Sequence, residues 1–230
     1  MATVVLVHSP LVGPATWAPV ADELRRDGAD VVVPDLGVAE EGDEPFWRQH
    51  ARAAAAVVRA LPMGHQPVLV AHSGAGVLLP AIRGLADRPM AAYVFVDAGL
   101  PGDGSRIGGG PRAEQLRALY RGGGRFPNWT DADLAELVPD PAARRRLLAD
   151  LRPQPLAFWE EAIPLPTGWP DAPCAYLRFP PNPAYDEPAA EARRRGWPYA
   201  ELPGGHFHLL VDPPAVATAI AGLLRRMNAA

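Results

Sequence analysis

The chain has one cysteine, Cys174, and no lysine in its 230 residues. A lone cysteine excludes an intrachain disulfide and a paired-cysteine metal site, and it fits a reducing cytoplasm as the expected location. Cys174 lies just inside an apolar run and reads as a small core residue. Charge of one sign is not in excess either: 22 basic against 26 acidic side chains give a net charge of −4. That leaves no electrostatic case for nucleic acid or an anionic membrane as a partner. No apolar run approaches transmembrane length. The start, Met1-Ala2-Thr3-Val4, leads straight into a strand with no basic region or cleavage pattern, so no export signal is expected. Phosphate loops and dinucleotide fingerprints are missing too. Gly108-Gly109-Gly110 and Gly122-Gly123-Gly124 follow no strand, and the scattered histidines lack metal-ligand spacing. No metal and no cofactor are expected, and the partner left is a small-molecule substrate.

Hydrophobic residues make up 48% of the chain, enough for a sizeable core. Six short apolar runs rich in β-branched residues predict strands: Thr3–His8, Asp30–Pro34, Val68–Ala71, Ala91–Val96, Cys174–Phe179 and Pro198–Leu202. Several are nearly continuous, the mark of parallel strands covered on both faces. Helical patterns separate them: a stripe of Trp17, Val20, Ala21 and Leu24, then Phe46–Leu61, Gly76–Leu85 and Pro213–Met227. The alternation predicts an α/β fold with a mostly parallel sheet and helices on both faces. Between residues 101 and 173 the rhythm breaks. A glycine-rich stretch from Gly102 to Pro111 precedes two helical patterns, Arg112–Tyr120 and Asp131–Leu151, the second interrupted at Pro139 and Pro141. A proline-laden run with Trp159 and Trp169 follows. The expectation is one domain over 1–230, with 101–173 as an inserted helical cap.

The stretch Val68-Leu-Val-Ala-His-Ser-Gly-Ala-Gly76 carries the chemistry. A strand meets a serine flanked by small residues, and a helical pattern follows at once, which is the geometry of a nucleophile elbow with Ser73 at its apex. Such a serine needs a base, a carboxylate to orient the base, and donors for the oxyanion. His206, in Leu-Pro-Gly-Gly-His-Phe-His after the last predicted strand, is the favoured base, with His208 as the alternative. Asp97, at the end of the strand Tyr93-Val-Phe-Val96, is the favoured acid. Asp186 is the alternative, and it also reads as an N-cap for a helix over Glu187–Arg195. Aromatic residues of the cap, Trp129 and Trp159 among them, are candidates for lining an apolar pocket. His8 reads as a packing and loop-bonding residue; His72 either touches the site or packs beneath the elbow.

Val7-His-Ser-Pro-Leu-Val-Gly13 with Trp17, Val33-Pro-Asp-Leu36, Ala71-His-Ser-Gly-Ala-Gly76, Phe95-Val-Asp-Ala-Gly-Leu-Pro101 and Gly204-Gly-His206 occur in this order. Together they resemble the α/β-hydrolase fold superfamily, in particular its small capped branch of plant esterases and hydroxynitrile lyases. The resemblance covers essentially the whole chain, more loosely in the cap. It implies a hydrolase or lyase with Ser73 as nucleophile, His206 as base and a pocket roofed by the cap. Family architecture places one oxyanion donor on the N–H of Gly74 and a second in the loop Ser9-Pro10-Leu11.

Two departures stand out. Family members carry the acid a few residues beyond the strand matching Cys174–Phe179, where this chain has Pro180-Pro-Asn-Pro183 and no acid until Asp186. The family's second oxyanion N–H comes from the position held here by Pro10, which has none. Losing one such donor typically costs ~10²–10³ in turnover, so Leu11 N–H or the Ser9 hydroxyl is expected to replace it. The reaction expected is cleavage of a small to medium apolar ester or thioester through an acyl-enzyme. The alternative is a lyase or tailoring enzyme using Ser73 and His206 as acid–base groups.

Overall fold

A computed structural model describes residues 3–107 and 112–228. Met1, Ala2 and the Gly108–Pro111 part of the glycine-rich stretch lie outside the described residues. Six strands form one sheet: β1 (Val4–Val7), β2 (Val31–Val32), β3 (Val68–His72), β4 (Ala92–Val96), β5 (Cys174–Arg178) and β6 (Tyr199–Glu201), in the order β2-β1-β3-β4-β5-β6. Every pairing is parallel. The strands are those expected from the sequence, with β2 and β6 shorter at the two edges.

Side chains alternate across a strand, so each apolar run feeds two cores. Val4, Leu6, Val68, Val70, Val94, Val96, Ala175 and Leu177 face one side, against α1 (Ala18–Arg26) and the last helix of the chain, Pro213–Asn228. Val5, Val7, Leu69, Ala71, Tyr93, Phe95 and Tyr176 face the other, against α2 (Phe46–Ala60) and α3 (Leu79–Ala86). Burial on both faces is why these strands read as unbroken hydrophobic runs. Leu69 is fully buried, and truncating it to alanine would cost about 2–5 kcal/mol.

Among the described residues, four helices occupy the segment between β4 and β5: α4 (Arg112–Arg121), α5 (Asp131–Leu134), α6 (Pro141–Ala149) and α7 (Leu156–Glu160). The expected helix over 131–151 is two helices, because Pro139 and Pro141 break it. Each half carries its own cap: Thr130 and Asp133 form a capping box on α5, and the Asp140 carboxylate accepts from Ala142 and Ala143 at the start of α6. α7 sits within the proline-laden run, too short for its periodicity to show in the sequence. The chain ends with α8 (Asp186–Arg194), α9 (His208–Val211) and α10 (Pro213–Asn228). Asp186 is the first residue of α8 and makes no side-chain cap. Its carboxylate is drawn instead to Arg178, at 2.6 Å. No helix among the described residues is long and apolar enough to cross a membrane.

The segment between β4 and β5 is tied to the loop after β1. Asp150 accepts from Ala15 N–H at 3.0 Å, Arg152 N–H donates to the Leu11 carbonyl at 2.9 Å, and the Gln154 amide donates to the Pro10 carbonyl at 2.7 Å. A side chain at Gly13 would collide with the Asp150 carboxylate, so this close approach requires glycine. Glu161 reaches across to accept from the Phe46 and Trp47 N–H groups, supplying a negative charge at the N-terminus of α2.

Candidate active site

Register alone brings the principal groups together. β3 pairs with β4 through His72↔Val96, so the next residues, Ser73 and Asp97, leave the same sheet edge side by side. β1 pairs with β3 through Val7↔Ala71, which sets the loop His8–Val12 on the other side of Ser73. These are the C-terminal ends of parallel strands where the order reverses between β1 and β3, the usual location of ligand sites in open α/β sheets.

Ser73 follows β3 directly and opens a 3-10 turn, Ser73–Leu78, that leads into α3. Its φ is +62°, a left-handed conformation costing of order 1–3 kcal/mol in a non-glycine residue. Tight packing below the turn holds it there. Ala71 and Ala75 are fully buried, and a side chain at Gly76 would lie 2.1 Å from the Gly99 carbonyl oxygen. Asp97 is also left-handed, with φ +40°. Two of the three such non-glycine residues in the described chain thus flank one site.

His206 bridges them. Its Nδ1 is 2.7 Å from Asp97 Oδ2, and its Nε2 is 3.0 Å from Ser73 Oγ. A carboxylate can only accept, so Nδ1 carries the proton, and the neutral ring presents Nε2 as acceptor to the serine hydroxyl. Asp97 is fully buried and saturated with donors. Asn182 Nδ2 reaches Oδ2 at 2.9 Å, while Oδ1 accepts from Phe179 N–H at 3.3 Å and from the buried guanidinium of Arg178. Burial pushes the Asp97 pKa up, but the hydrogen bond from His206, that from Asn182 and the Arg178 charge together outweigh it and hold the group below the ordinary carboxylate range. Asp186 has no part in this contact. Its side chain is 70% exposed, and it meets the far end of the Arg178 guanidinium.

His72 lies beneath. Its ring stacks on that of His206 with centroids 4.4 Å apart, and its Nε2–H donates to the His206 carbonyl at 2.9 Å. Burial lowers its pKa to about 3, so it stays neutral and holds the main chain of His206 in place. The other candidate base, His208, packs edge-on against Phe179. His8 bonds within its loop: Nδ1–H donates to the Ser9 carbonyl at 2.9 Å and Nε2 accepts from Leu36 N–H at 3.2 Å. Burial lowers its pKa to about 4.

On the far side of Ser73 lie Gly74 and Ser9. A Cβ built on Gly74 would be 3.6 Å from Ser9 Oγ and 2.9 Å from the Ile107 side chain. Leu11 N–H points at Ser9 Oγ, at 3.4 Å, and the Pro10 carbonyl is committed to Gln154. Trp129 packs edge-on against Phe207, next to His206. Trp159 is buried against Phe158 and Phe126, and its indole N–H donates to the Tyr120 hydroxyl at 2.9 Å. It belongs to an apolar cluster with Leu11, Phe46 and Leu116, beside Ile107. Cys174 is buried in the core, and burial raises its thiol pKa to about 12. Among the described residues no group of three histidine, cysteine or acidic side chains could hold a metal ion.

Three residues of the site were not singled out in the sequence: Arg178, Asn182 and Tyr185. The Tyr185 hydroxyl lies 3.0 Å from Ser73 Oγ. All three sit on or just after β5, and nothing in their spacing marks them in the sequence.

A family model described as the alpha/beta hydrolase family matches residues 4–219. No curated protein matches the sequence significantly. Among solved structures, the chain is similar to an extracellular alpha/beta-hydrolase from a Paenibacillus species, with TM-score 0.79 and 18% identity over 97% of this chain and 99% of that one. Polyneuridine aldehyde esterase follows with TM-score 0.74 and 17% identity, covering 97% and 99%. Tomato methylketone synthase I, complexed with 2-tridecanone, gives TM-score 0.73 and 16% identity, covering 98% of both chains.

Proposed function

Because the chain belongs to the alpha/beta hydrolase family, we propose that it is a serine hydrolase that cleaves a small to medium apolar ester or thioester through an acyl-enzyme. The observation that carries this reading is the unbroken line of hydrogen bonds from Asp97 through His206 to a serine held at φ +62°. Ser73 Oγ attacks the acyl carbon as its proton passes to His206 Nε2. Asp97 keeps the ring in the Nδ1–H form and stabilises the imidazolium. His206 then returns the proton to the leaving group, and water repeats the sequence in reverse. Asp97, not Asp186, is the acid.

Oxyanion stabilisation falls to Gly74 N–H and the Ser9 hydroxyl. Leu11 N–H is already directed at Ser9 Oγ, which leaves the Ser9 proton to be given to substrate. This replaces the donor that Pro10 lacks. Residues 101–173 act as a cap over this cleft, with Ile107 and the cluster around Trp159 supplying apolar surface and Trp129 flanking the base. Polyneuridine aldehyde esterase, similar in fold, bears a name that agrees with ester chemistry.

A fluorophosphonate probe tests the reading. Stoichiometric labelling at Ser73, absent from Ser73→Ala, is expected, and p-nitrophenyl acyl ester cleavage should fall at least ~10³-fold in that variant. A second reading rests on Pro10: a lyase or tailoring enzyme that makes a weaker demand on the oxyanion hole would tolerate proline there. Lyase turnover by a protein that resists the probe would favour it.

A further inference from the structure

The mechanism above leaves the Tyr185 hydroxyl unused, although it touches the reacting oxygen. Tyr185 ends a 3-10 turn, Pro183–Tyr185, in the loop after β5. The same loop supplies Asn182 to Asp97 and Asp186 to Arg178. Its ring lies nearly parallel to the His206 imidazole, at 15° and 5.2 Å between centroids, and its hydroxyl is 3.0 Å from Ser73 Oγ. The Ser73 proton is directed at His206 Nε2, so in this contact Tyr185 donates and Ser73 Oγ accepts.

We propose that Tyr185 is a further catalytic residue, a hydrogen-bond donor to the leaving-group oxygen, and that the site is therefore matched to alkyl oxygen esters in preference to thioesters. The inference rests on the acyl-enzyme reading. When Ser73 Oγ bonds to the acyl carbon, its proton goes to His206 Nε2, and the oxygen becomes a poor acceptor. The Tyr185 hydroxyl is released from it at that moment. The leaving-group oxygen has to approach the Nε2 edge of His206 to collect its proton, and this brings it beside Ser73 Oγ, the atom that the Tyr185 hydroxyl already reaches. As the carbon–oxygen bond breaks, the electron pair moves to that oxygen. His206 delivers the proton, and Tyr185 donates a hydrogen bond without transferring its own. In deacylation the same hydroxyl donates to the attacking water and then to the departing Ser73 Oγ.

Such help matters most for a strongly basic leaving group. An alkoxide needs both proton and hydrogen bond. A p-nitrophenoxide leaves without either, and a thiolate is a weak acceptor that leaves readily.

Tyr185→Phe keeps the ring over His206 and removes only the donor. The experiment compares kcat/KM, which reports acylation, for ethyl butyrate, p-nitrophenyl butyrate and ethyl thiobutyrate. The ethyl ester should lose about tenfold to a hundredfold, the worth of a hydrogen bond to a charged group. The aryl ester and the thioester should lose far less. Equal losses on all three substrates would mean that Tyr185 merely supports the structure, and would overturn the proposal. Fluorophosphonate labelling of the wild type separates the two claims: no labelling at Ser73 removes the acyl-enzyme reading and this inference with it, whereas labelling with equal losses removes this inference alone. Should the phenylalanine variant fail to fold, the wild type decides. Its kcat/KM across alkyl and aryl butyrates should depend weakly on leaving-group basicity, and a steep dependence would overturn the proposal.

Discussion

Replacing Asp97 by asparagine changes one atom of the buried carboxylate but disturbs two of the four contacts it makes. Asp97 accepts from four donors: His206 Nδ1 and Asn182 on one oxygen, Arg178 and Phe179 N–H on the other. An amide presents two N–H groups on one side, so whichever way it is turned, a donor meets a donor. If the amide nitrogen faces His206, the imidazole is driven to the other tautomer, and Nε2 can no longer accept the Ser73 proton. If it faces Arg178, the buried guanidinium loses the Asp97 charge and keeps only the exposed Asp186 carboxylate. The first outcome matches a loss of ~10⁴ in kcat where a triad aspartate is exchanged for asparagine in other serine enzymes. The second resembles the removal of one partner from a buried ion pair, which costs about 3–5 kcal/mol. Asp97→Asn should therefore lower kcat/KM on p-nitrophenyl butyrate by ~10³–10⁴ and reduce unfolding free energy in urea. Asp186→Asn is the control. Its carboxylate is mostly exposed, and Arg178 keeps the buried Asp97 as partner when it is lost, so activity and stability should fall far less than in Asp97→Asn. Both variants are assayed below their unfolding midpoints, so that fraction folded does not enter. An Asp186→Asn loss as large as that of Asp97→Asn, or an Asp97→Asn loss under about tenfold, would refute this assignment of the acid.

Ser9→Ala tests the replacement for the missing proline donor. With Gly74 N–H left alone, kcat should drop ~10²-fold with KM little changed; wild-type kcat would put the second donor elsewhere. Stability should fall in acid. His8 and His72 are held neutral by burial, with pKa values lowered from 6.5 to about 4 and about 3. Below pH 6.5 the unfolded chain binds protons that the folded chain does not, so stability declines with falling pH through the window from 6.5 to about 4. The His8 shift corresponds to about 3 kcal/mol across that window. Urea midpoints measured from pH 7 to pH 4.5 should fall, and less steeply in His8→Asn. A flat profile would contradict the buried neutral imidazoles.

The sheet was legible because its information is local. Residues buried on both faces give continuous apolar runs, and each of the six produced a strand. The contact between Ser73 and His206 was legible for a related reason. The small neighbours Ala71, Ala75 and Gly76 record the crowding of a sharp turn, and a Gly-Gly-His loop after the last strand has few uses. Asp97 could be preferred over Asp186 because it ends a strand, which puts it at the sheet edge where Ser73 emerges, and because no acid follows the next strand before Asp186. The remainder depends on distance contacts that leave no trace in spacing. Arg178 reads as an ordinary strand-end arginine until β4 is placed beside it. Tyr185 and Asn182 read as loop residues until the loop folds back over the sheet edge. Asp186 has the local signature of a helix cap, yet Arg178 offers its carboxylate a stronger partner than the backbone N–H groups do. The short helix Leu156–Glu160 has too few residues to display a period, and its two aromatics, Phe158 and Trp159, point to burial without saying in which element.

The account stands on Ser73 carrying an acyl group. The most direct measurement is the intact mass of the protein quenched within milliseconds of mixing with p-nitrophenyl butyrate, followed by peptide mapping. The account expects one butyryl group per chain, located on Ser73, appearing with a burst of p-nitrophenoxide and absent from Ser73→Ala. Turnover with no added mass at any time, and no burst, would contradict it.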